Sequence, residues 1–594
     1  MKQTIINGTG YRYLSELPEF SEFIPHGIVN KTKTDVGGTY VACNCKSDYI
    51  IICPFKDLVN SIYLDENNKY KTFKCYGGVK ELSLIKYIEE CNNTNSPKKL
   101  IVTYDSLPKL IRWLRSADNL ENYKLLIDEY HLLLEDFDFR DDAINGLINE
   151  VTRFEHYTFL SATPIDDKYN IEFFEELPRY KIIWDDVTTI IPRRYKTTNI
   201  PKSLVRLIQQ FNEGLSLPDV NNNLSEVKEL YIFVNSLTTI KQVLDTLDET
   251  PEDVKICCAD RIRNIKFLDK YTVDTPASPN KRINFFTKKC FQGCNLFTNN
   301  GLIVVASDCS KIYSLVDIST TMEQIVGRLR YNNEYQNIFR NTLVHLYTVN
   351  NNMLTDDEFN EVLEKKRIKA TDLVEGFKVL SESQRTAYLS ISNLTSELVT
   401  YTGTDLYINP MKEQSFIYKH ELRKTYKDGI SVRNAYLKSD KFVDTTQMWI
   451  NADVILKKIT TFNYKDMIID YYNNPSPEYL DEYPEFRDYL RYLKLSEINT
   501  IRYNKEKLLN LVKEKQLLSK VFSEISETTF IPSKELKKLF ETLFKKYDIN
   551  NISPKASLIT SCNFLTAKAI TRMYNNKSTK GYSIAKSKEL RFNI

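Results

Sequence analysis

Up to about residue 350, short apolar runs alternate with stretches whose apolar residues recur at helical spacing. Residues 49–53, 100–103, 124–127, 158–160, 230–234, 282–286, 302–306 and 343–347 predict buried strands. Residues 83–91 and 107–116 predict two of the intervening helices, and the alternation predicts parallel α/β sheets. The basic, β-branched stretch 192–201 predicts a linker between two sets of strands, and the polar stretch 216–225 a loop. Beyond residue 350 the strand signals thin out. Residues 356–369, 503–519 and 533–547 read as amphipathic helices, with Ser533 as an N-cap. The acidic, Tyr-rich stretch 475–484 reads as a surface loop. Four segments result: 1–192, 193–350, a helical accessory region 351–530 and a terminal unit 531–594.

At 594 residues, 42% of them hydrophobic, the chain has room for several domains with real cores. Its net charge of +3 demands no polyanionic partner. The distribution changes that picture. From residue 552 onward Lys555, Lys568, Arg572, Lys577, Lys580, Lys586, Lys588 and Arg591 face one acid, Glu589. Such a tail suits a phosphate backbone, or is simply a soluble terminus. The longest apolar runs are about five residues, where a membrane span needs roughly 20. The N-terminus leads into polar sequence, not a signal-peptide core. Eleven cysteines, an odd and scattered set, point to reduced thiols and a cytoplasmic protein. Cys43/Cys45 and Cys290/Cys294 lack a second pair at zinc spacing. The 38 Tyr and 30 Phe beside 16 Gly reflect codon bias and carry no chemistry.

The strongest chemical signal is an apolar strand ending in Asp128-Glu129-Tyr130-His131. At the carboxyl edge of an α/β sheet, Asp128 can hold Mg2+ while Glu129 polarises an attacking water. A solvated acidic turn would read the same way in isolation. A second strand runs into Ser161-Ala162-Thr163, and Gln324-Ile325-Val326-Gly327-Arg328-Leu329-Arg330 opens a helix. Two close guanidiniums can stabilise charge on a transferring phosphoryl group.

In this order and spacing the three strings resemble motifs II, III and VI of superfamily 2 helicases and translocases of the DExH type. Cys53-Pro54-Phe55 is similar to motif Ia, and Val102-Thr103-Tyr104-Asp105-Ser106 to the next DNA-contacting motif. Asn235 lies in a match to motif IV; Thr287, Gly293 and Asn295 lie in a match to motif V. The resemblance covers about residues 20–350. It implies two RecA-like lobes, 1–192 and 193–350, with ATP and Mg2+ in the cleft between them. It also implies nucleic acid gripped by Thr103, Tyr104, Asn235, Thr287 and Gly293, and coupling through His131, Ser161, Thr163 and Gly327. Similar proteins occur in low-GC bacteriophages such as the crAss-like phages, where they act in replication.

Two departures stand out. The phosphate loop should end Gly-Lys-Thr, yet Lys31-Thr32-Lys33-Thr34-Asp35-Val36-Gly37-Gly38-Thr39 has Gly38 where the lysine belongs. Thr39 keeps the Mg2+-binding hydroxyl, and Lys31 or Lys33 can curl back, with Thr34, Gly37 and Gly38 lining the phosphates. In motif VI, Arg330 follows Arg328 by two residues instead of three, so either is the candidate finger beside Gln324. The expected protein is an ATP-dependent helicase or translocase, with DNA favoured over RNA. One alternative is an ATPase that loads or remodels a replication or packaging complex, or acts on RNA. Another is a catalytically inactive nucleic-acid-binding protein. The C-terminal region is expected to meet replication proteins. Its end reads either as a winged-helix unit with a basic hairpin or as a helical bundle.

Overall fold

Runs such as Tyr-Ile-Ile-Ile-Cys form strands covered on both faces, the setting of parallel α/β sheets. The computed structural model describes residues 3–169, 171–185, 188–391, 394–450, 452–549, 552–561 and 565–586. Cys562, Lys588, Glu589 and Arg591 lie outside them. The first sheet contains β1 (Gln3–Asn7), β2 (Gly27–Asn30), β3 (Asp48–Cys53), β4 (Thr72–Cys75), β5 (Lys99–Thr103), β6 (Tyr123–Asp128), β7 (Tyr157–Ser161) and β8 (Arg179–Ile183). Its order is β1-β8-β2-β7-β6-β3-β5-β4, and every pairing is parallel. Three neighbours, β2, β7 and β6, therefore bring the loop after Asn30, Ser161-Ala162-Thr163 and Asp128-Glu129 to one edge.

The second lobe begins with β9 (Ile191–Lys196) and a small hairpin, β10 (Ser216–Pro218) and β11 (Leu224–Glu226). It continues with β12 (Glu229–Phe233), β13 (Val254–Cys257), β14 (Ile283–Phe286), β15 (Gly301–Ser307) and β16 (Thr342–Tyr347). Beyond a further hairpin, β17 (Val399–Tyr401) and β18 (Leu406–Ile408), comes β19 (Met448–Trp449). The parallel order is β13-β14-β12-β15-β16-β9-β19. The architecture is thus two RecA-like α/β lobes with a mainly helical C-terminal region, as expected.

Several local expectations need correction. Residues 192–201 are no linker: they supply β9 and the start of the helix Ile200–Asn212. Asn199 caps that helix by accepting from the Lys202 amide. The stretch 216–225 holds the β10–β11 hairpin, and 475–484 contains a helix, Glu478–Glu482, that buries Tyr479. Ser533 is the first residue of its helix, and Pro532 is the cap. Nor does 351–530 behave as one region. Residues 351–459 belong with the two lobes, whereas 260–269 and 460–594 form a second compact unit.

Within 351–459, one segment ties both lobes. The helix Pro410–Thr425 reaches the first lobe through Ser415 and Lys419 on Asp138, and Tyr418 sits edge-on to Tyr169 at 5.5 Å. Just beyond it, Tyr426 donates to the Val316 carbonyl at 2.6 Å, and Tyr436 hydrogen-bonds His345 at 2.9 Å, both in the second lobe.

In the second unit, helices between Tyr464 and Ser523 share a Tyr/Phe-rich core around Phe486. The terminal part is not a helical bundle. It carries an antiparallel sheet of β20 (Thr528–Pro532), β21 (Leu565–Tyr574) and β22 (Lys577–Lys586), ordered β20-β22-β21, with the helix Ser533–Lys546 packed on it.

Candidate active site

The loop after β2 is held in a tight, strained turn. Thr32 and Asp35 have φ of +50° and +66°, values that side-chain-bearing residues rarely adopt. The Trp184 indole donates to the Lys31 carbonyl at 2.8 Å, and the Thr32 hydroxyl donates to the Ile182 carbonyl at 2.7 Å. This turn drives Lys31 inward. Its Nζ lies 3.4 Å from Glu129 Oε1 and 3.8 Å from Asp128 Oδ1, all three residues being buried. Lys33 points elsewhere, with its ammonium over the Trp184 ring. Burial alone would lower the Lys31 ammonium, but Glu129 and Asp128 outweigh it and hold it above its usual value.

Gly38 opens the helix Gly38–Asn44 after the cap Gly37, whose φ is +80°. A Cβ at Gly38 would meet Leu160 Cδ2 of β7 at 2.2 Å. Close packing of the helix start on the sheet therefore explains why no lysine stands there. Thr39 follows on the same helix, half-buried.

The Asp128-Glu129 pair sits on another strained turn, Glu129 having a φ of +50°. Tyr104 fixes it, its hydroxyl donating to the Asp128 carbonyl at 2.8 Å and lying 3.3 Å from that of Glu129. At 0% exposure, the Tyr104 side chain supports the carboxylates from within the core. Thr103 is buried and bonds Ser106 at 3.0 Å. Thr287 is buried with its hydroxyl on the Cys257 carbonyl at 3.3 Å. Half-buried Asn235 donates to the Tyr313 carbonyl and accepts from the Lys288 amide. Gly293, at φ +74°, faces Leu58 of the first lobe.

Burial pushes the Asp128 carboxyl above its usual range against the pull of Lys31. Burial would also raise Glu129, yet Lys31, then His131 and Arg328, hold it low. Glu129 is thus the stronger anion of the pair. His131 Nδ1 and Ser161 Oγ share a 2.9 Å hydrogen bond, and Ser161 also donates to Glu129 at 3.4 Å. The Asp128–His131 and Ser161–Thr163 segments are therefore joined.

The second lobe closes over this edge. Gln324 Nε2 donates at 3.1 Å both to Glu129 Oε2 and to Thr163 Oγ1. Arg328 is bound within its own lobe, to Gln324 O at 2.9 Å, Gln324 Oε1 at 3.1 Å and Cys294 O at 3.4 Å. Arg330 donates to Asn295 at 2.7 Å and lies 3.7 Å from Asp35 of the loop after β2. Burial and the neighbouring Arg328 draw its guanidinium down to about 10. Gly327 abuts Thr34: a Cβ there would meet Thr34 Oγ1 at 2.3 Å.

Contacts across the lobes that sequence reasoning missed surround the cluster. Glu135 accepts from Thr320 at 2.5 Å and Thr321 at 2.9 Å. Lys288 pairs with Asp136 at 2.6 Å and Lys289 with Asp57 at 2.9 Å. Glu135 and Asp136 stand on the turn just past His131; that proximity was the one available signal.

No protein-family model and no curated protein matches the chain. Solved structures to which it is similar include S. cerevisiae Dbp5 bound to RNA and ADP BeF3, at 12% identity and a TM-score of 0.36, over 58% of this chain and 83% of that one. Mss116p bound to ssRNA and AMP-PNP shares 14% identity at a TM-score of 0.35, over 72% and 88%. The ATP-dependent type ISP restriction-modification enzyme LlaBIII bound to DNA shares 10% at 0.36, over 88% and 38%. Among the described residues no helix is long and apolar enough to cross a membrane.

Proposed function

We propose that this chain is an ATP-dependent nucleic-acid translocase or helicase whose two lobes close on ATP and reopen after hydrolysis. One observation carries the reading: Lys31 and Gln324, from opposite sides of the cleft, converge on Glu129 beside Asp128. In this proposal Lys31 replaces the missing loop lysine, leaving its carboxylates to meet the β/γ oxygens, while Gly37, Gly38 and the loop amides admit the phosphates. Glu129 orients and deprotonates the attacking water, and Gln324 holds that carboxylate only when the lobes are shut. Arg330, facing the loop residue Asp35, is the arginine assigned to phosphoryl charge, since Arg328 is committed to Gln324 and Cys294.

Hard oxygen donors, the buried Asp128 carboxylate and the Thr39 hydroxyl, suit Mg2+. Bound there, the ion would neutralise phosphate charge. The His131–Ser161 bond couples the site to Thr163, and the Thr103 and Thr287 loops grip the strand through backbone amides. DNA as the track, and a role in phage replication or recombination, follow from the motif resemblance. The inactive-binder reading is favoured by Gly38 alone.

ATP turnover with and without single-stranded DNA or RNA tests the proposal. Glu129→Gln should lower nucleic-acid-stimulated kcat by about 100-fold or more. Lys31→Ala should fail as severely, and Lys33→Ala should stay near wild type. Absence of turnover by the wild type with every nucleic acid it binds would refute the motor and leave the inactive-binder reading.

A further inference from the structure

The β21–β22 hairpin has ten-residue strands joined by Asn575-Asn576, both at positive φ, the geometry of a two-residue hairpin turn. β20 pairs with β22 only as far as Pro532 opposite Gly581. Beyond that point, among the described residues, no third strand pairs with the ribbon Thr571–Lys580. Four residues a side carry it about 13 Å past the sheet. Lys568, Arg572, Lys577 and Lys580 are exposed, as is Met573 at 72%, and no acid occurs between 565 and 586. Among the described residues its acidic contact is Glu535, which accepts from the Tyr574 hydroxyl at 3.3 Å.

We infer that this ribbon docks into the major groove of duplex DNA, its cations gripping the flanking phosphates. The groove of B-form DNA is about 12 Å wide and 8.5 Å deep and admits a two-stranded β-ribbon. A 13 Å projection reaches its floor. The major groove of an RNA duplex is too narrow for side chains to read, so the ribbon discriminates duplex DNA from duplex RNA. An apolar Met573 beside the turn meets base edges, while the cations stay at the rim. Neither the charge nor the exposure draws on the carboxylate cluster, so the inference stands apart from the ATPase reading.

The test is nucleotide-free binding of the full chain to fluorescein-labelled duplex DNA, duplex RNA and single-stranded DNA between 50 and 300 mM salt. Arg572→Gln, Lys577→Gln and Lys580→Gln together should weaken duplex DNA binding at least about tenfold. They should flatten the log Kd–log salt slope by two to three units, at about 0.9 per phosphate contact. Duplex RNA and single strands should change by less than about twofold, and Arg572→Lys should keep the slope. An unchanged slope, or equal losses on all three nucleic acids, would overturn the inference. Basal ATP turnover, read on the same proteins, should be unaltered. If the wild type lacked turnover too, the ATPase reading would fail while the duplex result stood.

Discussion

Replacing Gly38 by alanine probes the packing that displaced the loop lysine. A helix-start glycine with ordinary φ would normally gain about 0.4–1 kcal/mol from alanine through a less flexible unfolded chain. Here the new methyl would stand 2.2 Å from Leu160 Cδ2, on a fully buried side chain of a central strand. Forcing Leu160 from its rotamer costs about 1–3 kcal/mol, so the net expectation is a loss of about 1–2 kcal/mol. Trp113 and Trp184 both lie in the first lobe and report its melting by fluorescence. For a lobe of this size the midpoint should fall by about 2–8 °C. Leu160→Ala alone costs about 2–5 kcal/mol, but in that background Gly38→Ala should be neutral or stabilising. A coupling of at least about 1 kcal/mol in the double-mutant cycle is the expected result. Equal effects of Gly38→Ala in both backgrounds, or a gain in the wild type, would refute the packing explanation. The same clash means that Gly38→Lys cannot restore turnover to Lys31→Ala.

Gly327→Ala should cut kcat about tenfold or more with little change in KM, because its methyl would strike Thr34 Oγ1 as the lobes shut; unaltered turnover would show that closure does not go this far. His345, buried between Ser307 and Tyr436, is held by burial, and then by Arg194, down to about 3. Its folded value lies below the unfolded one, so the unfolded chain takes the proton first. Stability from this group is present above about pH 6.5 and falls by about 2 kcal/mol by pH 5. His345→Asn should flatten the pH dependence of the midpoint between pH 7 and 5, and an unchanged slope would count against it.

The strands read from sequence are those buried on both faces, where an uninterrupted apolar run is needed. Two of those missed, β9 and β13, carry buried charge whose partners lie elsewhere along the chain. In β9, Arg194 is 2% exposed, with Thr445 and Asp444 as its partners. In β13, Lys255 donates to the carbonyls of Pro276 and Ser278. Such residues look like solvated loop until the pairing is known. At the site, Asp128, Glu129 and Gln324, singled out by side-chain type and spacing, do lie together. Which of Lys31 and Lys33 turns toward the carboxylates was not legible, since a positive-φ turn and Trp184 decide it. The bond from Tyr104 to the Asp128 carbonyl was not legible either, because a hydroxyl aimed at a backbone carbonyl leaves no mark in the sequence.

The placement of β9 between β16 and β19 sets a schedule for synthesis. The strand leaves the ribosome first, yet its two neighbours follow as residues 342–347 and 448–449. About 250 residues must be added before both of its edges are paired, which takes about 13–50 s at usual elongation rates. Throughout that interval β9 offers bare backbone to any other extended chain. The second lobe should therefore be the part of the molecule that leans on chaperones during translation, and any chain ending before residue 448 should keep that liability for good.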